Sequence, residues 1–339
     1  VRRFIFLYGV NMGARVSKRI EWIDVAKGIC IVLMVVGHTR LPLIISNWIW
    51  SFHMPFFFFI SGMTFKVGNY KSMNFFLYRK LRTLLVPFFV FSILVIGISE
   101  SYEVNTFKDR FLEVLVHGWG GIALWFVPIL FLAELLYYIF YHLLSRNKKC
   151  FVVILIVFAY LSYWLSEVHL LLPWAISSVF LAASFLGLGN RLTDFILNVW
   201  RDKSVKKTFS FLLISFCIGG LIAQFYHLDM CYNIITSLIP VYIGAILGIL
   251  FIIQLSMLLT KYMEYPVLKP LFYIFSYWGK NTFFVLAFSQ CIQLCLIQGM
   301  NSMDISPVLS SVIRHVSMWI ILFLITEFFN RKLSWILGK

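Results

Sequence analysis

Apolar residues fill this chain in long blocks, and polar residues gather between the blocks. The runs from Thr83 to Ile98 and from Ile234 to Ile253 contain no formal charge at all. Such blocks match the ~20 apolar residues that a helix needs to cross a bilayer core. The pattern predicts spans from about Ile23 to Ile44, Trp48 to Phe65, Thr83 to Ile98, Ile122 to Leu144 and Phe151 to Leu165. Five more follow, from Leu170 to Gly189, Phe209 to Phe225, Ile234 to Leu255, Phe272 to Ile297 and Val308 to Phe329. The predicted fold class is an all-α polytopic membrane protein of about ten transmembrane helices. Between the third and fourth spans, Phe107, Phe111, Leu112, Leu115 and Val116 recur at helical spacing. That stretch predicts a short amphipathic helix lying on the membrane surface.

Composition agrees with this picture. Hydrophobic residues make up 61% of the 339 positions and charged residues only 13%, about half the share usual in a soluble domain. The net charge of +15 does not point to nucleic acid, because no basic helix stands free of the apolar blocks. The cations sit instead in alternate loops. Arg2, Arg3, Arg15, Lys18 and Arg19 precede the first span, and Lys66, Lys71, Arg79, Lys80 and Arg82 follow the second. Arg146, Lys148 and Lys149 follow the fourth, and Arg191, Arg201, Lys203, Lys206 and Lys207 follow the sixth. Lys261 and Lys269 follow the eighth, and Arg331, Lys332 and Lys339 close the chain. The opposite loops hold only Arg40, Lys108 and Arg110. By the positive-inside rule both termini are expected in the cytoplasm. The expected division is a cytoplasmic N-terminal segment over 1–22, a membrane domain over 23–329 and a cytoplasmic tail over 330–339.

The six cysteines have no Cys-x-x-Cys spacing, so neither a disulfide framework nor a zinc site is expected. The N-terminus lacks a cleavable signal pattern. The chain begins with Val1, and Met12 is an alternative start.

The first span is costly for a membrane helix. Asp24, Lys27 and His38 interrupt it, and Lys27 and His38 are separated by close to three helical turns. All three therefore share one face, with His38 about 16 Å along the axis from Lys27. Ionisable groups inside a membrane usually line a functional path. The bland alternative is that Lys27 snorkels to the headgroups and His38 caps a helix end. The second span adds His53 beside Pro55, and antiparallel packing would bring His53 near His38. Arg79 and Arg82 follow at i,i+3 on the expected inner surface. They suit either anionic lipid or a phosphate-bearing ligand, which guanidinium forks hold well.

These residues carry a family resemblance. Asp24-x-x-Lys27-x10-His38, then Phe52-His-Met-Pro-Phe-Phe-Phe-Phe-Ile-Ser-Gly62, then Arg79-x-x-Arg82 ahead of Pro87, resemble the membrane acyltransferase-3 family. Trp125-Phe-Val-Pro-Ile-Leu-Phe-Leu-Ala-Glu134 and Gly279-Lys-Asn-Thr282 resemble that family's later motifs. Within it the chain most resembles the fucose 4-O-acetylase-like bacterial acetyltransferases. The resemblance implies acetyl-CoA as donor, a sugar or glycan acceptor, possibly lipid-linked, and a bacterial inner (cytoplasmic) membrane. It assigns the motif histidine to His38 and the CoA-holding arginine pair to Arg79 and Arg82. At Lys27 the family more often has arginine, so this chain keeps the charge without the fork. The sequence ends ten residues after the last span, so the family's extra extracytoplasmic hydrolase-like domain is not expected.

The chemistry fits. A sugar hydroxyl is a poor nucleophile at neutral pH, and an imidazole can take its proton or carry the acetyl group itself. His38, Lys27 and Asp24 are the candidate catalytic residues, with Asp24 orienting Lys27. Arg79, Arg82 and Lys280 are the candidates for holding CoA. His53, Trp125, Glu134 and Asn281 are the candidates for the acceptor, with Trp50 as a second stacking surface. Lys280, expected to be buried in the ninth span, needs an acidic partner or polar ligand, for which Glu134 is the candidate. No metal is expected. There is no Gly-x-Ser-x-Gly elbow, no His-Glu-x-x-His and no P-loop. The rival reading is a transporter of a small polar solute or lipid-linked sugar, with Lys27, His38 and Lys280 lining its path.

Overall fold

A computed structural model describes residues 20–39, 41–99, 107–118, 123–144, 147–199, 205–300 and 306–337. Outside the described residues lie positions 1–19 of the expected N-terminal segment and the loop cations Arg40, Arg146, Arg201, Lys203 and Lys339.

The described chain is almost wholly helical. It runs α1 (Glu21–Gly37), α2 (Leu43–Thr64), α3 (Met73–Lys80), α4 (Val86–Ser99), α5 (Phe107–His117), α6 (Phe126–Leu144) and α7 (Lys148–Glu167). Then come α8 (Ile176–Val199), α9 (Val205–Phe225), α10 (Leu238–Lys261), α11 (Leu268–Lys280), α12 (Thr282–Met300) and α13 (Pro307–Lys332). One two-stranded hairpin, β1 (Leu228–Asp229) and β2 (Ile234–Ile235), joins α9 to α10. Apolar blocks fold this way because only a helix satisfies every backbone polar group within the segment. Polar side chains start several helices. Asn147 accepts from the amides of Lys149 and Cys150, and Ser306 accepts from Leu309 with Pro307 at the first turn.

Among the described residues nine helical segments are long and apolar enough to span a membrane. The tenth, α1, has 17 residues and a length of about 26 Å, short of a ~30 Å core. Several boundaries differ from the sequence expectation. The third span begins at Met73, because α3 runs through a π-turn, Leu81–Leu85, into α4. Pro87 explains the turn: its ring cannot fit against the carbonyl four residues back, and the wider turn makes room. The eighth span starts four residues later than expected, since Ile234 and Ile235 are used in the hairpin. The ninth is broken into α11 and α12 at Asn281.

α1, α2 and α8 are the inner helices. α2 packs on α8, α10, α1 and α9, while α1 packs on α11, α10, α2 and α12. Phe52, Phe56, Phe58 and Phe59 of α2 are fully or almost fully buried. Gly28 and Gly279 let α1 and α11 touch backbone to backbone. A Cβ at Gly28 would overlap the Phe275 carbonyl, and one at Gly279 the Asp24 carbonyl. Outer helices show the opposite face. Val308, Val312, Val316 and Ile320 form an exposed row on α13, which only a lipid surround makes favourable.

The amphipathic helix is present as α5. Its buried residues are Arg110 and Val114, and Leu112, Leu115 and Val116 are exposed. Glu100 and Glu103 of the same loop lie outside the described residues.

Candidate active site

The face of α1 that carries Lys27 and His38 opens into two adjoining chambers. Lys27, Ile31, Met34 and His38 are spaced at four, three and four residues, so they stack along one stripe. The first chamber, of ≈210 Å³, surrounds Lys27 with Ile31, Phe57, Phe126 and the hydroxyl residues Ser61 and Thr282. The second, of ≈270 Å³, holds His38, Trp50, His53, Trp125 and Asp229. Met34, Met54 and Leu286 line both. Three flexible apolar side chains thus stand at the border of the two chambers. Asp24 is buried beside this stripe, under the α11 crossing.

His38 caps α1 at its C-terminal end, where the helix stops ahead of Pro42. Its Nδ1–H donates to the Met34 carbonyl at 2.8 Å. A carbonyl can only accept, so this bond fixes the proton on Nδ1 and leaves Nε2 with a lone pair. The same logic holds for His53, whose Nδ1–H donates to the Ile49 carbonyl at 3.0 Å. Trp50 stands between the two imidazoles, with ring centroids 5.1 Å from His38 and 5.3 Å from His53. Its Nε1–H donates to the Gly37 carbonyl at 3.3 Å. The chamber therefore has two basic ring nitrogens and two indole walls.

The hairpin lays Asp229, Cys231 and Tyr232 along the His38 chamber. The Asp229 carboxylate accepts from the Cys231 amide at 2.8 Å and from the Tyr232 amide at 3.3 Å, closing a tight turn. Burial, then the Asp229 charge, push the Cys231 thiol up. It stays protonated at neutral pH and is no thiolate nucleophile. Asn233, at φ 51°, pins the hairpin to α7. It accepts from the Ser162 hydroxyl at 2.8 Å and returns an amide bond to the Ser162 carbonyl at 3.0 Å.

Other expected residues lie elsewhere. Glu134 does not meet Lys280. It forms a buried ion pair with Lys80 at 2.7 Å, and Lys80 also stands 5.3 Å from the Phe65 ring centre. Lys280 is exposed, not buried, because α11 ends there. Asn281 is buried at the break, where its amide donates to the Tyr277 carbonyl and its carbonyl accepts from Asn330. Neither Asn281 nor Glu134 lines a chamber; the member of the late motif that does is Thr282. Arg79 is exposed, 5.7 Å from the ring centres of Tyr70 and Phe75. Arg82 is exposed as well, and Leu84, two residues on, lines the Lys27 chamber.

Asp229 and Tyr232 escaped the sequence reading. Their one trace is a charged residue in the short loop between two spans. Among the described residues no group of three or more His, Cys, Asp and Glu could hold a metal ion.

A protein-family model described as an acyltransferase domain, the acyltransferase-3 model, matches residues 20–333. The chain therefore belongs to that family and is a membrane acyltransferase. No curated protein and no solved structure matches it at a significant level.

Proposed function

We propose that this acyltransferase moves an acetyl group from acetyl-CoA to a hydroxyl of a cell-surface or lipid-linked glycan, in the manner of the fucose 4-O-acetylase-like enzymes. The observation that carries the reading is the pair of adjoining chambers on one face of α1, with Lys27 in one and His38 in the other.

In this reading the Lys27 end and both termini face the cytoplasm of a bacterial inner membrane, a topology that the alternating cations support. There Arg79 and Arg82 meet the phosphates of CoA. The pantetheine arm enters the Lys27 chamber, where Lys27, Ser61 and Thr282 offer hydrogen bonds to its amides. Asp24 orients Lys27 from the same helix turn. The thioester passes Met34, Met54 and Leu286 to reach His38. This threading explains how a donor held at one end of α1 reaches an imidazole about 16 Å along it.

The acceptor ring lies between Trp50 and Trp125 and donates a hydroxyl bond to His53 Nε2. His38 Nε2 takes the proton of the reacting hydroxyl as its oxygen attacks the thioester carbon. The C–O bond forms, the C–S bond breaks, and the proton passes to the departing sulfur. The products are an O-acetyl ester and free CoA.

Purified protein given labelled acetyl-CoA and a glycan acceptor is expected to transfer label. His38→Ala is expected to lower the rate by a factor of at least about a hundred, the usual worth of a general base. A folded His38→Ala protein that transfers at the wild-type rate would overturn this assignment.

A further inference from the structure

A third cavity, of ≈430 Å³, shares Tyr232 with the His38 chamber. Its other walls are Glu113 and His117 of α5 and residues of the segment 171–175. Glu113 and His117 are four residues apart, so they project from one face of α5. The neighbouring face, Arg110 and Val114, is buried. The Trp174 indole donates to the Leu115 carbonyl at 3.2 Å and ties the opposite wall to α5. Trp174 and Ala175 hold φ of 58° and 48°, a backbone region that bulky residues rarely adopt.

The ≈270 Å³ His38 chamber falls below the ~300–1,000 Å³ of pockets that enclose a whole ligand. The two spaces meet at Tyr232, so an acceptor longer than one ring can extend from the first into the second. The outer cavity, at ≈430 Å³, falls inside that range. We infer that the acceptor is a glycan of more than one sugar unit. Its reacting ring sits at His38, and the adjoining unit or units occupy the cavity of Glu113 and His117. The inference rests on the acetyl-transfer reading above.

The lining chemistry suits sugar hydroxyls. The Glu113 carboxylate accepts from them, and the His117 imidazole accepts or donates. The Tyr232 phenol presents a flat apolar face to a sugar ring at the junction of the two spaces. Burial, then Cys231 and Asp229, push its hydroxyl up, so it remains a donor. An anionic group such as a lipid pyrophosphate is disfavoured here by the Glu113 charge. That places a glycan, rather than its carrier phosphate, in the outer cavity.

The test uses the full chain in lipid nanodiscs, without acetyl-CoA, on an array of bacterial surface glycans from mono- to hexasaccharides. Affinity is expected to rise about tenfold from a monosaccharide to its longer parent, the yield of one charge-assisted hydrogen bond. Glu113→Gln and His117→Ala are each expected to erase that length preference, with unchanged unfolding midpoints in detergent. Equal affinity for short and long glycans, variants that keep the wild-type preference, or no bound glycan would each overturn the inference. Acetyl transfer is scored separately. Wild-type protein that binds long glycans yet transfers no label would sink the acetyltransferase reading and leave the glycan cavity standing.

Discussion

Lys80 and Glu134 meet at 2.7 Å, with only 6% of the Glu134 side chain exposed. The contact joins the α3 end of the third span to the middle of α6. Lys80 faces inward, while Arg79 and Arg82 on either side of it remain exposed. One short basic stretch thus divides into a structural cation and two cations available to a ligand.

Breaking that pair leaves a buried charge without its counter-ion. Glu134→Leu or Lys80→Met alone is expected to destabilise the protein by about 3 kcal/mol, whereas the double replacement recovers most of the loss. Unfolding midpoints in detergent check this. Equal effects from the singles and the double would show that the pair is not coupled.

The exposed arginines are expected to act on the donor's phosphates. Arg82→Ala should raise the KM for acetyl-CoA about tenfold with little change in kcat, the effect of one lost charged hydrogen bond. Arg82→Lys should recover only part, since an ammonium lacks the planar fork. Comparing CoA with dephospho-CoA as competitors locates the phosphate involved. An unchanged KM in both Arg82→Ala and Arg79→Ala would remove these residues from the donor site.

The partition between the chambers offers a separate handle. Leu286 lines both, so Leu286→Trp should obstruct the passage between them. The expected result is CoA binding close to wild type with transfer reduced by a factor of about a hundred, as misplacement of the reacting atoms costs. Wild-type turnover in this variant would mean that the thioester takes another route.

Cys231 lies in the His38 chamber, and its raised thiol pKa predicts inertness. The neutral form persists through the pH range where an ordinary thiol ionises, so alkylation by iodoacetamide should stay slow at pH ~8.5. Cys231→Ser should retain transfer. Rapid alkylation at neutral pH would show a thiolate and reopen the question of the nucleophile.

Two glycines give opposite expectations. Gly279→Ala drives a methyl group into the Asp24 carbonyl and should cost more than 2 kcal/mol, about the scale of an overpacked core. Gly97, inside α4, has open space at its Cβ position, so Gly97→Ala should stabilise by up to ~1 kcal/mol. Thermal unfolding of the two variants separates these outcomes. Similar midpoints would mean that α1 and α11 are not held in the close contact described.

Local features of the sequence settled a good deal. Block hydropathy marked the membrane helices, because a segment in lipid must satisfy its own backbone and be apolar outward. Helical periodicity placed Lys27 and His38 on one stripe of α1, because 3.6 residues per turn fixes the face wherever the helix ends up. The motif order around His38, His53 and Arg79 pointed to the family. Packing decided the rest. Nothing local distinguishes Lys80 from Lys280 as the partner of Glu134; only the neighbour that α6 receives does so. Asp229 and Tyr232 look like loop residues until the hairpin, pinned by Asn233 to α7, lays them beside His38. The break at Asn281 likewise carries a long-range contact, the bond that its side-chain carbonyl accepts from Asn330 of α13. Contacts between residues far apart in sequence depend on how helices pack, and a local pattern of polarity does not encode which pair will meet.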